Sequence, residues 1–245
     1  MKKHLLALLI AAGALSTATS RATVSNASTG DVILAFEDVA ANKNLLVDLG
    51  AGSGIGSFTS INVGTDLATV FGSTWASDSN LKWGLFGINT AKSAVWASTA
   101  SGNNAFPLKS VGALATTLAH YNAMISNFNT DIVNGQGLTV GVQMNVGTSP
   151  DTGYNTWSGN NPTATAGTAF SVYNQSLETA VVGGGTLDFY QTSGSASTAI
   201  FKAANGNALQ LSGSGQVSVV PEPSTYALMG LGALLLVVAY RRKSA

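Results

Sequence analysis

Four carboxylates are the side chains best suited to acid–base chemistry: Glu37, Asp38, Asp48 and Asp188. Two carboxyl groups that converge in a cleft can hydrolyse a glycosidic bond, and carboxylates can also bind a hard cation. The sequence contains no Asp-x-Asp-x-Asp-Gly calcium loop, and neighbouring Glu37 and Asp38 point to opposite faces if they lie on a strand. We therefore favour solvated carboxylates in turns, with a secreted hydrolase as the alternative.

A glycine-rich stretch at residues 45–54, LLVDLGAGSG, resembles the first motif of S-adenosylmethionine-dependent methyltransferases. In such motifs a strand leads into a glycine-rich turn that opens a helix, and an acidic residue follows about 20 positions later. Residues 55–64 instead contain several β-branched residues, are interrupted by glycine and include few helix formers. The sequence therefore predicts no cofactor here, and residues 50–56 are interpreted as a flexible connection between strands.

The two histidines and the aromatic side chains give weaker indications of a functional site. His120 lies on a predicted helix, but no Gly-x-Ser-x-Gly pentapeptide accompanies it, so a satisfied or surface histidine is favoured over a catalytic one. Exposed coplanar aromatics, with Tyr154 and Trp157 as candidates, would indicate a carbohydrate-binding module. Trp83 and Trp96 lie on predicted strands, which favours a place in the core.

The elements that position these side chains are mostly strands, because short runs of β-formers alternate with Gly, Asn, Ser and Thr. Two hairpins are predicted, with links at residues 38–43 and 89–92. Strands are predicted at residues 31–36, 44–49, 81–88, 93–97, 138–146, 169–173, 186–191, 208–211 and 216–219.

Two helices interrupt the strand pattern. After Ser110, apolar residues recur at spacings of three and four from Leu114 to Phe128, which predicts an amphipathic helix. A shorter helix is predicted at residues 65–71, with Gly72 placed to end it. Residues 147–168 and 192–198 are predicted to be exposed loops. The fold class is therefore mainly β, sandwich-like or irregular, with one or two short helices.

Composition and charge exclude several classes of function. The chain has 245 residues, 11 basic and 11 acidic side chains and no cysteine. Both ends are basic, whereas residues 23–219 carry five lysines against ten carboxylates. Without a basic stripe, nucleic acid is not a predicted partner. Without cysteine there is no disulfide, thiolate metal site or cysteine nucleophile.

The N-terminus has the pattern of a secretory signal. A cationic start at residues 1–4 precedes an apolar run at residues 5–15, too short for a span of about 20 residues. Ser20 and Ala22 fit the −3 and −1 positions, which predicts cleavage by signal peptidase after Ala22, with Ser16 and Ala18 as a second choice. A signal helix is predicted at this end.

The C-terminus combines three segments in a fixed order. Pro221, Glu222 and Pro223 predict an extended, exposed stretch, because proline fixes φ and lacks an N–H donor. Residues 226–240 form an apolar run of roughly 22 Å as a helix, which can enter a bilayer of about 30 Å only with thinning or snorkelling. A basic stop follows at Arg241, Arg242 and Lys243, and these cations remain cytoplasmic by the positive-inside rule.

This tail, from Val220 to Lys243, resembles the PEP-CTERM sorting signal of exported Gram-negative proteins. The resemblance implies recognition by exosortase, a membrane-embedded, cysteine-dependent enzyme, in genomes that usually also make an exopolysaccharide. An ordinary tail anchor is the alternative. Residues 30–36, 45–50 and 82–87 are also similar to parts of other PEP-CTERM bodies, and this similarity implies no activity.

Three segments follow: a signal peptide at 1–22, a β-rich exported domain at 23–219 and a sorting signal at 220–245. We expect a non-enzymatic protein without cofactor or metal, transiently anchored in the inner membrane through residues 226–240. Its expected destination is the cell surface or the extracellular matrix, in a structural or adhesive role with exopolysaccharide or biofilm. A carbohydrate-binding module and a secreted hydrolase are the alternatives.

Overall fold

Ten strands, two α-helices and one short 3-10 helix at Trp75–Ser77 make up the regular structure of the described residues. The computed structural model describes residues 26–38, 40–52, 58–91, 94–100, 111–133, 138–144, 178–193, 200–221 and 240. The helices are α1 (Gly64–Phe71) and α2 (Val111–Val133). The strands are β1 (Asp31–Asp38), β2 (Lys43–Ala51), β3 (Ser60–Asn62), β4 (Lys82–Ile88), β5 (Val95–Ala100), β6 (Val142–Met144), β7 (Glu178–Ala180), β8 (Thr186–Ser193), β9 (Ile200–Leu211) and β10 (Gln216–Pro221).

All ten strands belong to one sheet. Its order is β3-β10-β9-β8-β5-β4-β1-β2-β6, with β7 paired to part of β4. Every strand pair is antiparallel. The mainly β prediction is confirmed, but the sheet curls into a half-barrel instead of forming the two packed layers of a sandwich.

One face of the sheet holds the main core. Leu34 on β1, Trp83 on β4, Leu187 on β8 and Val217 on β10 belong to a single cluster of buried side chains. Strands from both ends of the sheet share this cluster, so this face is the concave one. Helix α1 adds Leu67 and Val70 to the same cluster, which closes part of the concave side.

Helix α2 covers the opposite face. Tyr121 and Phe86 meet edge to face, with ring centroids 5.7 Å apart. Phe86 points away from the main core, because its neighbour Leu85 belongs to that core and side chains alternate along a strand. The Tyr121 hydroxyl donates to the carbonyl oxygen of Asp31 at 2.6 Å, and Asn129 exchanges two hydrogen bonds with the main chain of Ala27. The sheet is therefore packed on both faces around β1 and β4.

Helix α1 has a defined end and a tie to the sheet. Gly72 follows its last residue with φ of 92°, in the left-handed region that favours glycine, so the prediction that Gly72 ends this helix is confirmed. The Lys43 ammonium donates to the carbonyl oxygen of Val70 at 2.7 Å. A cation at the C-terminal end of a helix is favourable, and this contact joins α1 to the start of β2.

The predicted hairpins and the two helices predicted within the body are confirmed, while several strand limits differ. Residues 192 and 193 were predicted in a loop but belong to β8, and β9 begins at Ile200 instead of residue 208. Of the strand predicted at 138–146, residues 138–141 precede β6 and residues 145–146 lie outside the described residues; β3 and β7 were not predicted. The strand predicted at 169–173, the loop at 147–168 and the signal helix lie outside the described residues.

Candidate functional site

The four carboxylates do not form a catalytic pair. Glu37 is 0 % and Asp38 is 6 % exposed, so the prediction that they are solvated is wrong. Their strand runs through Asp38, which places them on opposite faces as predicted. Asp38 accepts the Ala41 N–H at 3.0 Å, an ordinary use of aspartate in a hairpin turn.

Glu37 and Asp48 share a face but lie far apart. Asp48 is opposite Ile33 in the register of β1 and β2, four residues from Glu37 and therefore about 14 Å along the strand. Asp188 is on β8, three strands away from β1, again about 14 Å. Glycosidases separate their two carboxyl groups by about 5–9.5 Å, so none of these pairs has that geometry.

The glycine-rich stretch is explained by packing. Its strand, β2, pairs antiparallel with β1 and β6, whereas a dinucleotide-type loop belongs to a parallel βαβ unit. Gly50 has φ of 82°. A Cβ on Gly52 would lie 2.4 Å from Cε2 of Trp96, so the indole ring occupies the space that a cofactor loop would leave open. The segment that follows, residues 53–57, lies outside the described residues.

The described tryptophans belong to the core. Trp75, Trp83 and Trp96 are between 0 % and 6 % exposed, and Phe36 and Trp83 stack with ring centroids 6.2 Å apart. The core assignment of Trp83 and Trp96 is confirmed. Tyr154, Trp157 and the side chain of His120 lie outside the described residues.

Asp66 and Tyr121 are two of the buried polar side chains that sequence reasoning did not find. Asp66, 1 % exposed, accepts hydrogen bonds from the N–H groups of Thr139, Val140 and Gly141 and from the Thr139 hydroxyl, at 2.7–3.0 Å. This contact joins α1 to the segment that leads into β6. A helix N-terminal aspartate was visible in the sequence, but its partners are more than 70 residues away.

Tyr121 is the second such group. Burial raises the pKa of its phenol well above 10.0, and the nearby carboxylates of Asp31 and Asp48 raise this pKa further. Both causes favour the neutral phenol, which donates to the Asp31 carbonyl. The arrangement therefore stabilises the packing of α2 at neutral pH.

The end of β10 is the place where the body meets the C-terminal segment. We call Val219, Val220 and Pro221 the tail junction; they lie opposite Leu209, Ala208 and Asn207 of β9. Strand β10 thus continues two residues beyond the predicted limit at Val219. The β-branched residues Val217, Val219 and Val220 were the signal that could have extended it.

The hairpin that precedes the tail junction is held firmly. The Gly215 N–H donates to Ser212 and the Ser212 N–H donates to Gln216, at 3.0 Å and 2.9 Å. Gly215 has φ of 83°, and a Cβ there would lie 2.2 Å from the Cα of Gly64. The Val63 N–H donates to the Gly215 carbonyl at 2.9 Å. The β9–β10 turn is therefore fixed against the start of α1.

The direction of the backbone groups explains how proline fits in β10. The Val219 N–H donates to the Thr59 carbonyl at 3.1 Å, so it points toward the β3 side and away from β9. Successive N–H groups alternate in direction along a strand, so the position of the missing N–H of Pro221 also faces away from β9. Proline is tolerated in strands at such outward positions, and β10 keeps its pairing with β9 through the tail junction.

Comparison with known families gives one match, and it begins at this junction. Residues 219–243 match the PEP-CTERM protein-sorting motif. The chain carries a PEP-CTERM motif. This motif indicates an exported protein that is transiently anchored by its C-terminus and processed by an exosortase-type enzyme. No curated protein and no solved structure matches the chain.

Only the beginning of the PEP-CTERM motif and one residue near its end are described. Pro221 lies on β10 and Tyr240 is helical and 69 % exposed. Glu222, Pro223, Arg241, Arg242, Lys243 and the predicted cleavage position at Ala22 lie outside the described residues. Among the residues that the structure describes, no helix is both long and apolar enough to cross a membrane. Within that same part, no three His, Asp or Glu side chains cluster as metal ligands do.

Proposed function

We propose that this protein is a structural or adhesive component of the cell surface or the extracellular matrix, associated with exopolysaccharide in a biofilm. A signal peptide cleaved after Ala22 exports it, and exosortase recognises Pro221, Glu222 and Pro223. The apolar run at residues 226–240 anchors the chain in the inner membrane until sorting, with the basic stop at residues 241–243 on the cytoplasmic side.

The observation that carries this proposal is the continuity of β10 with the PEP-CTERM motif. The last strand of the body runs into the first proline of the motif, so the domain is attached directly to the segment that the enzyme reads. A body built in this way is suited to be the cargo of the sorting reaction. The buried tryptophans and the separated carboxylates favour a structural role over the two alternatives, a carbohydrate-binding module and a secreted hydrolase.

The test separates recognition from anchoring. Replacing Pro221, Glu222 and Pro223 by alanine leaves the apolar run and the basic stop intact, so membrane insertion continues while sorting fails. The new N–H at position 221 faces away from β9, so the β10 pairing is retained. We expect the variant to accumulate with its tail in the inner membrane of a host that contains exosortase. Deleting residues 226–243 should instead release the body into the periplasm.

Gly213→Ala is the matched control. It lies in the turn before β10, and a Cβ at Gly213 meets nothing within 4 Å. Surface protease accessibility and gel mobility report location and tail removal. If the triple-alanine protein reaches the surface as efficiently as the wild type, the Pro-Glu-Pro segment is not the recognition signal, and residues 226–240 act only as an anchor.

The surface role needs a separate measurement. Sorted protein should sediment together with exopolysaccharide purified from its host and should dissociate from a strain that lacks the polysaccharide. Competition by a short, soluble oligosaccharide at low concentration would favour the carbohydrate-binding alternative. Failure to sediment with polysaccharide would contradict the matrix association without affecting the sorting assignment.

A further inference from the structure

The last two residues of β10 are held on one side only. Strand β3 pairs with Gln216, Val217 and Ser218, and Thr59 accepts the N–H of Val219. In the described residues, Val220 and Pro221 have a strand partner only in β9, at Ala208 and Asn207. The body therefore clamps β10 firmly up to Val219 and more weakly over the first two residues of the tail.

The hydrogen bonds of this weaker section come from Val220 alone. Because the Val219 N–H faces β3, the backbone groups of Val220 face β9 and bond with Ala208. Pro221 has no N–H and its nitrogen faces outward. Opening Val220 and Pro221 thus breaks about two backbone hydrogen bonds. At about 1 kcal/mol net for each bond, the open form is about 30-fold less populated than the paired form.

Pairing and recognition compete for the same backbone. An enzyme that reads an extended segment in a groove binds the edges of its backbone, and β9 already occupies one edge of Val220 and Pro221. We propose that the pairing of β10 with β9 controls sorting: exosortase acts on the form in which Val220 and Pro221 have separated from Ala208 and Asn207. This regulation rests on the proposed function of the PEP-CTERM motif.

A crosslink across the tail junction tests this directly. The chain has no cysteine, so an introduced pair has no competing thiol in the chain. Val220 lies opposite Ala208 in a hydrogen-bonded pair, in which the Cα atoms are about 5.5 Å apart, a distance that a disulfide spans. The variant Ala208→Cys/Val220→Cys, expressed as the full chain in a host with exosortase, should form this bond in the periplasm.

The matched control is Gln210→Cys/Ser218→Cys. These residues form the preceding pair of the same type on the same face, inside the section that β3 already clamps. We expect the 208–220 crosslink to slow tail removal at least tenfold relative to the same variant after reduction. The 210–218 crosslink should leave the rate within twofold of the wild type, which also shows that the enzyme is active under these conditions.

Two results would overturn the inference. One is tail removal from the 208–220 crosslinked protein within twofold of its reduced form. The second uses Ala208→Pro, which removes the donor to Val220 and leaves the motif unchanged. This variant should be processed at least threefold faster than Gln210→Pro, with both checked for folding by circular dichroism. If Ala208→Pro is processed at the same rate as Gln210→Pro or more slowly, control by pairing is refuted. This comparison replaces the crosslinking test if the reduced 208–220 variant is itself processed slowly.

The wild type separates this inference from the proposed function. If wild-type protein keeps its tail in a host with exosortase, the sorting assignment itself fails. If the wild type is processed and the crosslinked protein is processed equally well, only the control by β10 pairing fails.

Discussion

Asp66 gives the sharpest prediction about the stability of the body. Its carboxylate is 1 % exposed and accepts three backbone N–H groups and one hydroxyl from Thr139, Val140 and Gly141. Thr139 is exposed and can return to water, whereas Val140 and Gly141 are buried. Asp66→Ala therefore leaves two buried donors without their acceptor.

The expected loss follows from these two donors. A buried donor left unsatisfied costs about 1–3 kcal/mol, so Asp66→Ala should lower the free energy of unfolding by about 3–5 kcal/mol. For a chain of this size, 1 kcal/mol shifts the melting temperature by about 2–4 °C, and we expect a decrease of about 10 °C. Asp66→Asn should lower the free energy of unfolding by about half as much. The amide oxygen of asparagine can still accept hydrogen bonds, whereas its NH2 group would face N–H donors and cannot accept from them.

Thermal unfolding of the purified chain, followed by far-ultraviolet circular dichroism, measures this decrease. Asp78→Ala is the control, because the Asp78 carboxylate accepts the Asn80 N–H at 2.9 Å in an exposed turn; its loss should be below about 1 kcal/mol. A melting temperature of Asp66→Ala within 2 °C of the wild type would refute the argument. Equal losses for both variants would also refute it.

The remaining predictions concern other parts of the molecule. The pKa of the Tyr121 phenol is higher in the folded protein than in the unfolded chain, where tyrosine has a pKa of about 10. The phenol therefore contributes fully to the free energy of unfolding below about pH 10, and this contribution is lost as the pH rises through the pKa of the folded state. Tyr121→Phe should therefore flatten the alkaline decrease in stability seen in pH titrations. Gly52→Ala should destabilise the body by about 1–3 kcal/mol through overlap with Trp96, and Gly213→Ala by less than 1 kcal/mol, in thermal melts. Mass spectrometry of surface-located protein should find a chain that begins after Ala22, and detection of residues 1–15 would contradict this.

The sequence was sufficient to predict the local elements. The alternation of β-formers predicted β1, β2, β4 and β10, and the three-and-four spacing after Ser110 predicted α2. What it could not give was the pairing of distant strands. Strand β3 has three residues and is stabilised by β10, more than 150 positions later. Short strands of this kind are set by tertiary partners and carry little local pattern.

The sequence also did not predict which polar residues are buried, for a related reason. Glu37 and Asp38 have the composition of a turn, and the sequence placed them in water. In the structure β1 runs through both and is packed on both faces. Local composition cannot show that a carboxylate is covered when the covering elements lie far away in the chain.

The glycine-rich stretch and the PEP-CTERM motif show what decides whether a motif resemblance has functional meaning. Both were visible as short patterns, and each implied a partner. For Gly52, the contact with Trp96 explains why glycine is needed, so the resemblance to a cofactor loop is not needed to account for this residue. Pro221 has no N–H to donate and its nitrogen faces away from β9, so the pairing of β10 with β9 does not depend on proline at this position. A residue that the fold accommodates but does not need is best explained by an external partner, and the PEP-CTERM motif that contains Pro221 makes a sorting enzyme the partner that we propose for it.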